Sequence, residues 1–341
     1  MRIISALVFV LLISIALVPH AFTQENNDAA IRAAVEKTIP LLQGLGPTFI
    51  EKTGCTSCHH NSLPAMAIGL ARERGFKIDE RAMRKNSAAT LPAFTQHRER
   101  MLQGIQAVPN MPITASYTLL GLAANKQPTD RTTDAIVHYL LRRQEKDGCW
   151  RSTANRPPLE YSDVTATALT LRALQLYPPQ GQNEEVKRRV GRALAWLVVA
   201  TPKTIEERVF QLLGLGWANA RKADIEKAVK GLLAEQRADG GWAQLSTLES
   251  DAYATGQAIV ALHQAGGLRV TDPACRRGIK FLLKTQFNDG SWLVLTRALP
   301  VQRYFESGFP HGKNQFISAA GTAWAAMALT LTIQSPKPPM H

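Results

Sequence analysis

The sequence predicts an all-α protein that closes into a double ring, an (α/α)6 toroid with six inner and six outer helices. No stretch alternates in the way of a β-strand, helical segments recur in pairs about every 50 residues, and three turns share one motif. One helix of each pair is amphipathic and charged, and the other is nearly uncharged. The uncharged helix is therefore expected to lie inside the charged one.

The pairs can be followed along the whole chain. The amphipathic segments are predicted at 28–44, 79–95, 130–143, 184–200, 222–236 and 274–286. The uncharged segments, rich in Ala, Gly, Ser and Thr, are predicted at 62–75, 112–124, 162–176, 205–219, 250–266 and 315–333. Six buried helices that alternate with six amphipathic ones predict a ring whose inner helices line a central cavity. An open solenoid of helix pairs is the alternative.

Three turns carry the pattern QxxxGxW, at Gln144–Trp150, Gln236–Trp242 and Gln286–Trp292. The Gly permits the positive φ of a tight turn after a helix, the Trp can cover the helix end, and the Gln amide can bind backbone groups. This motif resembles the QW repeats of squalene and hopene cyclases. The segment Glu306–Pro310 resembles the GTGFP-type segment near the end of hopene cyclases. The resemblance implies the toroid fold and an isoprenoid or other apolar ligand in the cavity.

The acid that starts the reaction of those cyclases is not matched here. It belongs to a DxDDTA motif at the start of an inner helix, and the corresponding position keeps Asp163 but has Thr165 and Ala166 in place of the later acids. Asp251 holds the equivalent place in the fifth hairpin. Those cyclases also pair two toroids, so cyclase activity is in doubt and the enzyme question stays open. Asp163, Asp251 and His311 remain the catalytic candidates, and helix capping is the alternative for both Asp residues.

The segment Cys-Thr-Ser-Cys-His-His at 55–60 contains CxxCH, the attachment motif of c-type haem. The match resembles a cytochrome c site and implies Cys55 and Cys58 as thioether residues, His59 as an iron ligand, and Met111 as a second iron ligand. Further candidates for that second ligand are His60, His97 and Met101.

Two other readings of the motif stay open. The two thiols can form a local disulfide, or they can bind a transition metal together with His59 and His60. The remaining two cysteines, Cys149 and Cys275, lie on distant hairpins and are expected to be free, buried thiols.

The N-terminal residues indicate export. Arg2 precedes an unbroken apolar run from Ile3 to Val18, so residues 1–23 are predicted to be a signal peptide, with an uncleaved membrane anchor as the alternative. We expect a single toroid domain over 24–336, with the CxxCH motif at 55–59, a tail at 337–341, and a periplasmic or cell-envelope location.

The net charge of +13 favours attraction to an anionic membrane surface. Nucleic acid is not an expected partner, because the basic residues are scattered. Three functional hypotheses follow: an exported toroid that binds an isoprenoid or other apolar ligand, a haem-bearing redox protein on a toroid scaffold, and a non-catalytic interaction module of the cell envelope. The oligomeric state is left open.

Overall fold

The computed structural model describes residues 20–300 and 303–334. The predicted signal peptide lies outside the described residues except for its last four, and the predicted tail lies outside them entirely. Within those ranges the chain is helical and forms no β-strand, which confirms the all-α prediction. None of the helices in this part of the chain is long and apolar enough to cross a membrane.

The described residues form fourteen α-helices, one π-helical turn, Cys58–Ser62, and one 3-10 turn, Gly312–Asn314. In chain order the α-helices are α1 (His20–Thr53), α2 (Leu63–Glu73), α3 (Glu80–Thr90), α4 (Pro92–Thr95), α5 (Arg98–Leu102), α6 (Met111–Ala124), α7 (Arg131–Arg142), α8 (Asp163–Leu176), α9 (Asn183–Val199), α10 (Ile205–Trp217), α11 (Lys222–Leu233), α12 (Ala252–Gln264), α13 (Pro273–Thr285) and α14 (Gln315–Thr330).

The inner ring consists of α2, α6, α8, α10, α12 and α14. Each of these helices packs on the next along the chain, and α14 packs back on α2. Each inner helix is preceded by an outer helix, the first of which is α1 and the last α13, and these two are also in contact. The ring is therefore closed, which confirms the toroid and rules out the open solenoid.

Two outer segments differ from their predicted lengths. Helix α1 continues to Thr53 although Pro40 and Pro47 lie inside it, because Leu45 and Phe49 extend its buried stripe beyond the predicted end at residue 44. The second outer segment is instead broken, and a new short helix begins at Pro92, since proline lacks the N–H that would continue α3.

The three QxxxGxW turns, called QW turns below, fasten each of three outer helices to the next. The Gln236 amide donates 2.8 Å hydrogen bonds to Gly240 O and to Ala274 O in α13. The Gln144 amide makes the equivalent pair of bonds to Gly148 O and Arg189 O. Gln286 reaches Gly290 O and Ala34 O, so the last turn joins α13 to α1. The C-terminal turn thus closes the outer ring.

The tryptophan of each QW turn is buried and makes two equivalent hydrogen bonds. Its indole N–H donates to the last turn of the preceding outer helix, as Trp242 does to Leu232 O at 2.9 Å. Its backbone N–H donates to a threonine hydroxyl of the following inner helix, the partners being Thr167, Thr255 and Thr322. These contacts set the start of three inner helices relative to the outer ring.

Candidate functional site

The six inner helices all begin at the same end of the ring, because each follows an outer helix through a loop at that end. We call this end the mouth. The CxxCH motif lies there, in the turn between α1 and α2. The Ser57 side chain caps this turn by accepting from His60 N at 3.2 Å, and Asn61 Oδ1 accepts from Ser57 N at 3.0 Å. The motif is thus part of the toroid itself, at the place that the order of the helices predicts.

A chain of hydrogen bonds runs from the loop before α14 to His59. The Gln315 amide nitrogen donates to Phe305 O at 2.8 Å, so its oxygen is the acceptor for the Ser307 hydroxyl. Ser307 Oγ must then accept from His60 Nε2, at 2.8 Å. His60 Nδ1 is left as an acceptor and accepts a hydrogen bond from the Nδ1–H of His59, at 2.6 Å. The network thus fixes His59 as the tautomer whose Nε2 carries a free lone pair.

Aromatic rings surround this His pair. The ring centroids of Phe49 and Phe316 lie 5.2 and 5.3 Å from that of His59, and the same two rings lie 5.0 and 5.6 Å from His60. Burial lowers the pKa of His59 to about 3, and the positive charge of Arg156 adds to the shift. Both imidazoles are therefore neutral at physiological pH.

Cys58 points toward a buried carboxyl group. Its Sγ lies 4.0 Å from Glu160 Oε1, and Glu160 is paired with Arg156. Burial, followed by the charge of Glu160, raises the pKa of the Cys58 thiol well above its ordinary value. Cys58 is consequently a protonated thiol, and Cys55, which is half-buried, has a pKa raised chiefly by burial.

The other readings of the cysteines can be compared with this geometry. All four cysteines are free thiols in the structure, so Cys55 and Cys58 are not bonded to each other, and Cys149 and Cys275 are free and buried as expected. Within the described ranges no three His, Cys, Asp or Glu side chains converge in a way that would hold a metal ion. Met111 is buried at the first position of α6, and α6 packs against the turn that carries His59.

The three catalytic candidates occupy different surroundings. Asp163 accepts from Ser152 N at 2.8 Å and pairs with Arg151 at the rim, whereas Ser162 caps α8, so the capping alternative was wrong for Asp163. Asp251 does cap α12, accepting from Ala254 N at 2.8 Å, and burial raises its pKa to about 6. His311 Nε2 bonds the Ser291 hydroxyl in the third QW turn at 2.8 Å. The structure does not bring these three residues together.

The centre of the ring is occupied by aromatic side chains. Tyr117 of α6 and Phe210 of α10 meet edge to face, with centroids 6.3 Å apart, although α8 lies between their helices. Phe210 also meets Trp324 of α14 at 6.2 Å, across α12. Contacts that skip a helix must pass through the inside of the ring. At this level the inside of the ring is therefore filled by large aromatic side chains and not lined by small ones. The Ala and Gly residues instead allow close packing between helices, as where Gly256 lies against the α14 backbone.

A buried carboxyl group lies beside these rings. Glu206, in the first turn of α10, is only 3% exposed and accepts a 2.9 Å hydrogen bond from the Tyr253 hydroxyl of α12. Burial raises the pKa of Glu206 to about 8, against the opposing influence of Gln257 and Tyr253. The group is therefore mostly a neutral carboxylic acid at pH 7.

Several buried polar atoms of the inner helices have no hydrogen-bond partner among the described residues. They include the Tyr117 hydroxyl, the Gln257 amide and the Trp324 indole nitrogen, all fully enclosed. The Gln257 amide lies close enough to Glu206 and Tyr253 to lower their pKa values, but not at hydrogen-bonding geometry. Burial raises the pKa of the Tyr117 hydroxyl well above its ordinary value, and Glu206, Cys58 and Glu160 add to the shift. Buried groups of this kind are rarely left without a partner in native proteins. We call Tyr117, Glu206, Tyr253, Gln257 and Trp324 the central polar cluster.

Sequence reasoning missed most of this cluster. From the sequence, Glu206 is an ordinary acid in the first turn of a helix, where acids are common. The inner-helix pattern predicts core positions for Tyr117, Gln257 and Trp324. The available signal was their chemistry, because long polar side chains are unusual on helices that are otherwise buried on every side.

Comparison with known proteins agrees with the fold. Residues 206–317, a third of the chain, match the family model of the squalene–hopene cyclase C-terminal domain. The chain is 33% identical over 125 residues to a squalene–hopene cyclase of Bradyrhizobium diazoefficiens. That match spans 31% of this chain but only 18% of the cyclase.

Solved structures of terpene cyclases are similar over most of the chain. The type II terpene cyclase MstE from Scytonema, in complex with geranylgeranyl dihydroxybenzoate, is similar with a TM-score of 0.60 and 13% identity, over 91% of this chain and 99% of that one. The ent-copalyl diphosphate synthase from Streptomyces platensis is similar with a TM-score of 0.50 and 16% identity, over 80% of this chain and 50% of that one. The protein therefore has a squalene cyclase-like toroid fold.

Proposed function

We propose that this protein is an exported toroid that binds an isoprenoid or another apolar ligand through the mouth of the ring. The observation that carries the proposal is the central polar cluster, which combines aromatic walls from inner helices with buried polar atoms that lack partners. Ligand sites are typically apolar with a few convergent polar groups. The isoprenoid complex of the MstE cyclase, whose fold is similar, supports the same class of ligand.

The rim of the mouth supports entry from an apolar phase. The loop before α14 exposes Leu295, Leu299 and Tyr304, and the same loop carries Arg297 and Arg303. Apolar side chains beside cations are suited to an anionic membrane surface, where an apolar ligand would be held. A membrane at the cell envelope is accordingly the proposed source of the ligand.

The experiment is a titration of the purified full chain with geranylgeraniol and squalene in detergent, followed by tryptophan fluorescence. Saturable quenching by either compound is expected, because Trp324 belongs to the cluster. Absence of saturable binding for both, by protein that circular dichroism shows to be folded, contradicts the proposal.

Cyclisation of squalene is not expected from this chain. The single toroid is no argument against it, since a type II cyclase of similar size is covered almost completely by this fold. Asp163 is not placed to start the reaction, because its carboxylate is bound to Arg151 and Ser152 at the rim and does not face the central cluster. Formation of a hopene-type product that is lost on Asp163→Asn would overturn this prediction.

A second candidate function is redox chemistry with a c-type haem, and the His59 tautomer favours it. A haem-ligating imidazole binds iron through one nitrogen while the other donates its N–H to a neighbouring group, and the Ser307–His60 network leaves His59 Nε2 free in this way. The donor set therefore fits: Cys55 and Cys58 would supply the thioether bonds, His59 one iron ligand and Met111 the proposed second. The haem would supply one-electron chemistry.

This candidate is tested by the spectrum of protein matured in a host that attaches haem. A Soret band that survives acid–acetone extraction, and that is lost when Cys55 and Cys58 are both changed to Ala, is expected if haem is bound. Cys149→Ala with Cys275→Ala is the matched control and should keep the band. No covalent haem in the unmodified protein contradicts the candidate and leaves apolar ligand binding standing.

A further inference from the structure

We infer that the central polar cluster binds the uncharged, oxygen-bearing end of an otherwise apolar ligand, such as an alcohol, a ketone or a quinone. This inference rests on the proposed binding of an apolar ligand and names the chemical class of its polar end. The site lies inside the inner ring, toward the mouth, beside the contact between Phe210 and Trp324.

The buried polar groups of the cluster have unused hydrogen-bonding capacity. The Tyr117 hydroxyl, the Gln257 amide and the Trp324 indole come from three inner helices, α6, α12 and α14, and within the described part of the chain none of them makes a hydrogen bond. Together they offer O–H and N–H donors and a carbonyl acceptor. Enclosed groups of this kind disfavour the folded chain until a partner fills them. A hydroxyl or carbonyl oxygen supplies such a partner, and a pure hydrocarbon does not.

The central polar cluster carries almost no charge. Glu206 is mostly a neutral acid at pH 7, and burial raises the pKa of Tyr117 and Tyr253 well above the ordinary value, so the cluster carries little charge. Two cations at the mouth are bound by other groups, because Arg156 pairs with Glu160 and Arg297 donates to Gln244 at 2.7 Å. A diphosphate or a carboxylate would be buried there without a positive partner, which is strongly disfavoured.

The position of the cluster suits a ligand with an apolar chain and one polar end. The aromatic rings of Phe210 and Trp324 are next to the polar atoms, so an apolar chain and its polar end can be bound together. The cluster also lies at the end of the ring from which a ligand would enter, since Glu206 and Tyr253 are in the first turns of α10 and α12. A ligand entering with its polar end first would reach the cluster.

The test compares three probes on the folded full chain: geranylgeraniol, geranylgeranyl diphosphate and squalene. Geranylgeraniol is expected to bind more tightly than the other two by about tenfold, the effect of about one net hydrogen bond. Gln257→Leu should weaken geranylgeraniol about tenfold and leave squalene unchanged. Gln175→Leu removes a glutamine that bonds Trp217 O at the far end of α8 and should alter neither.

The outcomes separate the two proposals. Diphosphate binding equal to or tighter than that of the alcohol overturns the uncharged end, as does squalene binding equal to the alcohol with no effect of Gln257→Leu, which would mean that water alone fills the cluster. In both cases apolar ligand binding stands. If folded protein binds none of the three, the proposed function fails, and the inference fails with it.

Discussion

The QW turns and the Cys55–Ser62 turn make the same connection, from an outer helix to the mouth of the ring, but they use their polar atoms differently. In a QW turn the glutamine amide and the indole N–H are bonded to backbone carbonyls of neighbouring helices. In the Cys turn the polar chain ends at His59, whose Nε2 makes no hydrogen bond to the described residues, and the Tyr117 hydroxyl of α6 makes none to them either. Satisfied groups are typical of a fastening, and unsatisfied groups are typical of a binding site.

The difference is also one of repetition. Three QW turns have nearly the same bonds, so each contributes to the stability of the ring in the same way. The Cys turn and the central polar cluster occur once, and they join residues of several inner helices. Mutations in the first set are expected to lower stability, and mutations in the second to change binding or titration with less effect on the fold.

The largest expected effect is that of Trp242→Ala. The side chain is fully buried and its indole N–H bonds Leu232 O, so its loss should lower the free energy of unfolding by about 3–5 kcal/mol. Chemical denaturation measures this. The control is Trp217→Ala, a partly exposed tryptophan beside Arg172, which should cost clearly less. An equal loss of unfolding free energy in the two variants would mean that the QW tryptophan stabilises the protein no more than a partly exposed tryptophan does.

The junction of α13 and α1, which closes the outer ring, can be weakened at Gly290. This residue has φ of +90°, and a Cβ there would lie 2.6 Å from Lys37 O of α1. Gly290→Ala should therefore destabilise the protein by about 1–3 kcal/mol. Gly44→Ala is the control, because a Cβ in that part of α1 meets nothing within 4 Å, and it should be neutral or stabilising. Thermal unfolding that moves equally in both variants would argue against the α13–α1 junction.

The pH dependence of the free energy of unfolding tests whether Glu206 of the central polar cluster is protonated in the folded chain. Its pKa is about 8 in the folded chain and near 4.5 when unfolded, so between these values only the folded state holds the proton. Stability should therefore fall as pH rises from 4.5 to 8, by at most about 5 kcal/mol. The facing charged and titratable groups are Tyr253, Tyr117, Glu207 and Arg297.

Glu206→Gln should flatten this fall, since the amide cannot ionise. The measurement is the difference in unfolding free energy between the variant and the natural chain at pH 5 and at pH 8. His59 and His60 act in the opposite direction below pH 6.5, because their lowered pKa values favour the unfolded state there, but they cancel in the difference. An unchanged difference at the two pH values would show that Glu206 is ionised in the fold.

The smallest expected effect on stability, about 1 kcal/mol, belongs to Ser307→Ala. This change removes the acceptor of His60 Nε2, so the tautomers of His60 and His59 are no longer fixed. Nitrogen NMR of the imidazoles should show one His59 tautomer in the natural chain, protonated at Nδ1, and a mixture in the variant. Observation of the Nε2-protonated form in the natural chain would contradict the proposed network.

The sequence by itself determined the ring. Helical periodicity separates charged outer helices from uncharged inner ones, and because these patterns are local, the amino-acid sequence alone locates both sets of six segments. The QW turns could be recognised as fastenings for the same reason: the Gln, Gly and Trp that make the turn lie within seven residues of one another. The position of the Cys turn at the mouth follows from the order of the helices.

Only the tertiary structure decided which polar groups meet. Glu206, Tyr253 and Tyr117 lie on three different helices, and the His59 tautomer depends on Ser307, 247 residues away from its partner His60. The length of α1 was decided in the same way, since packing of Phe49 against the core outweighed Pro40 and Pro47. Burial and cross-ring contacts are properties of the closed ring, so no local pattern in the chain contains them.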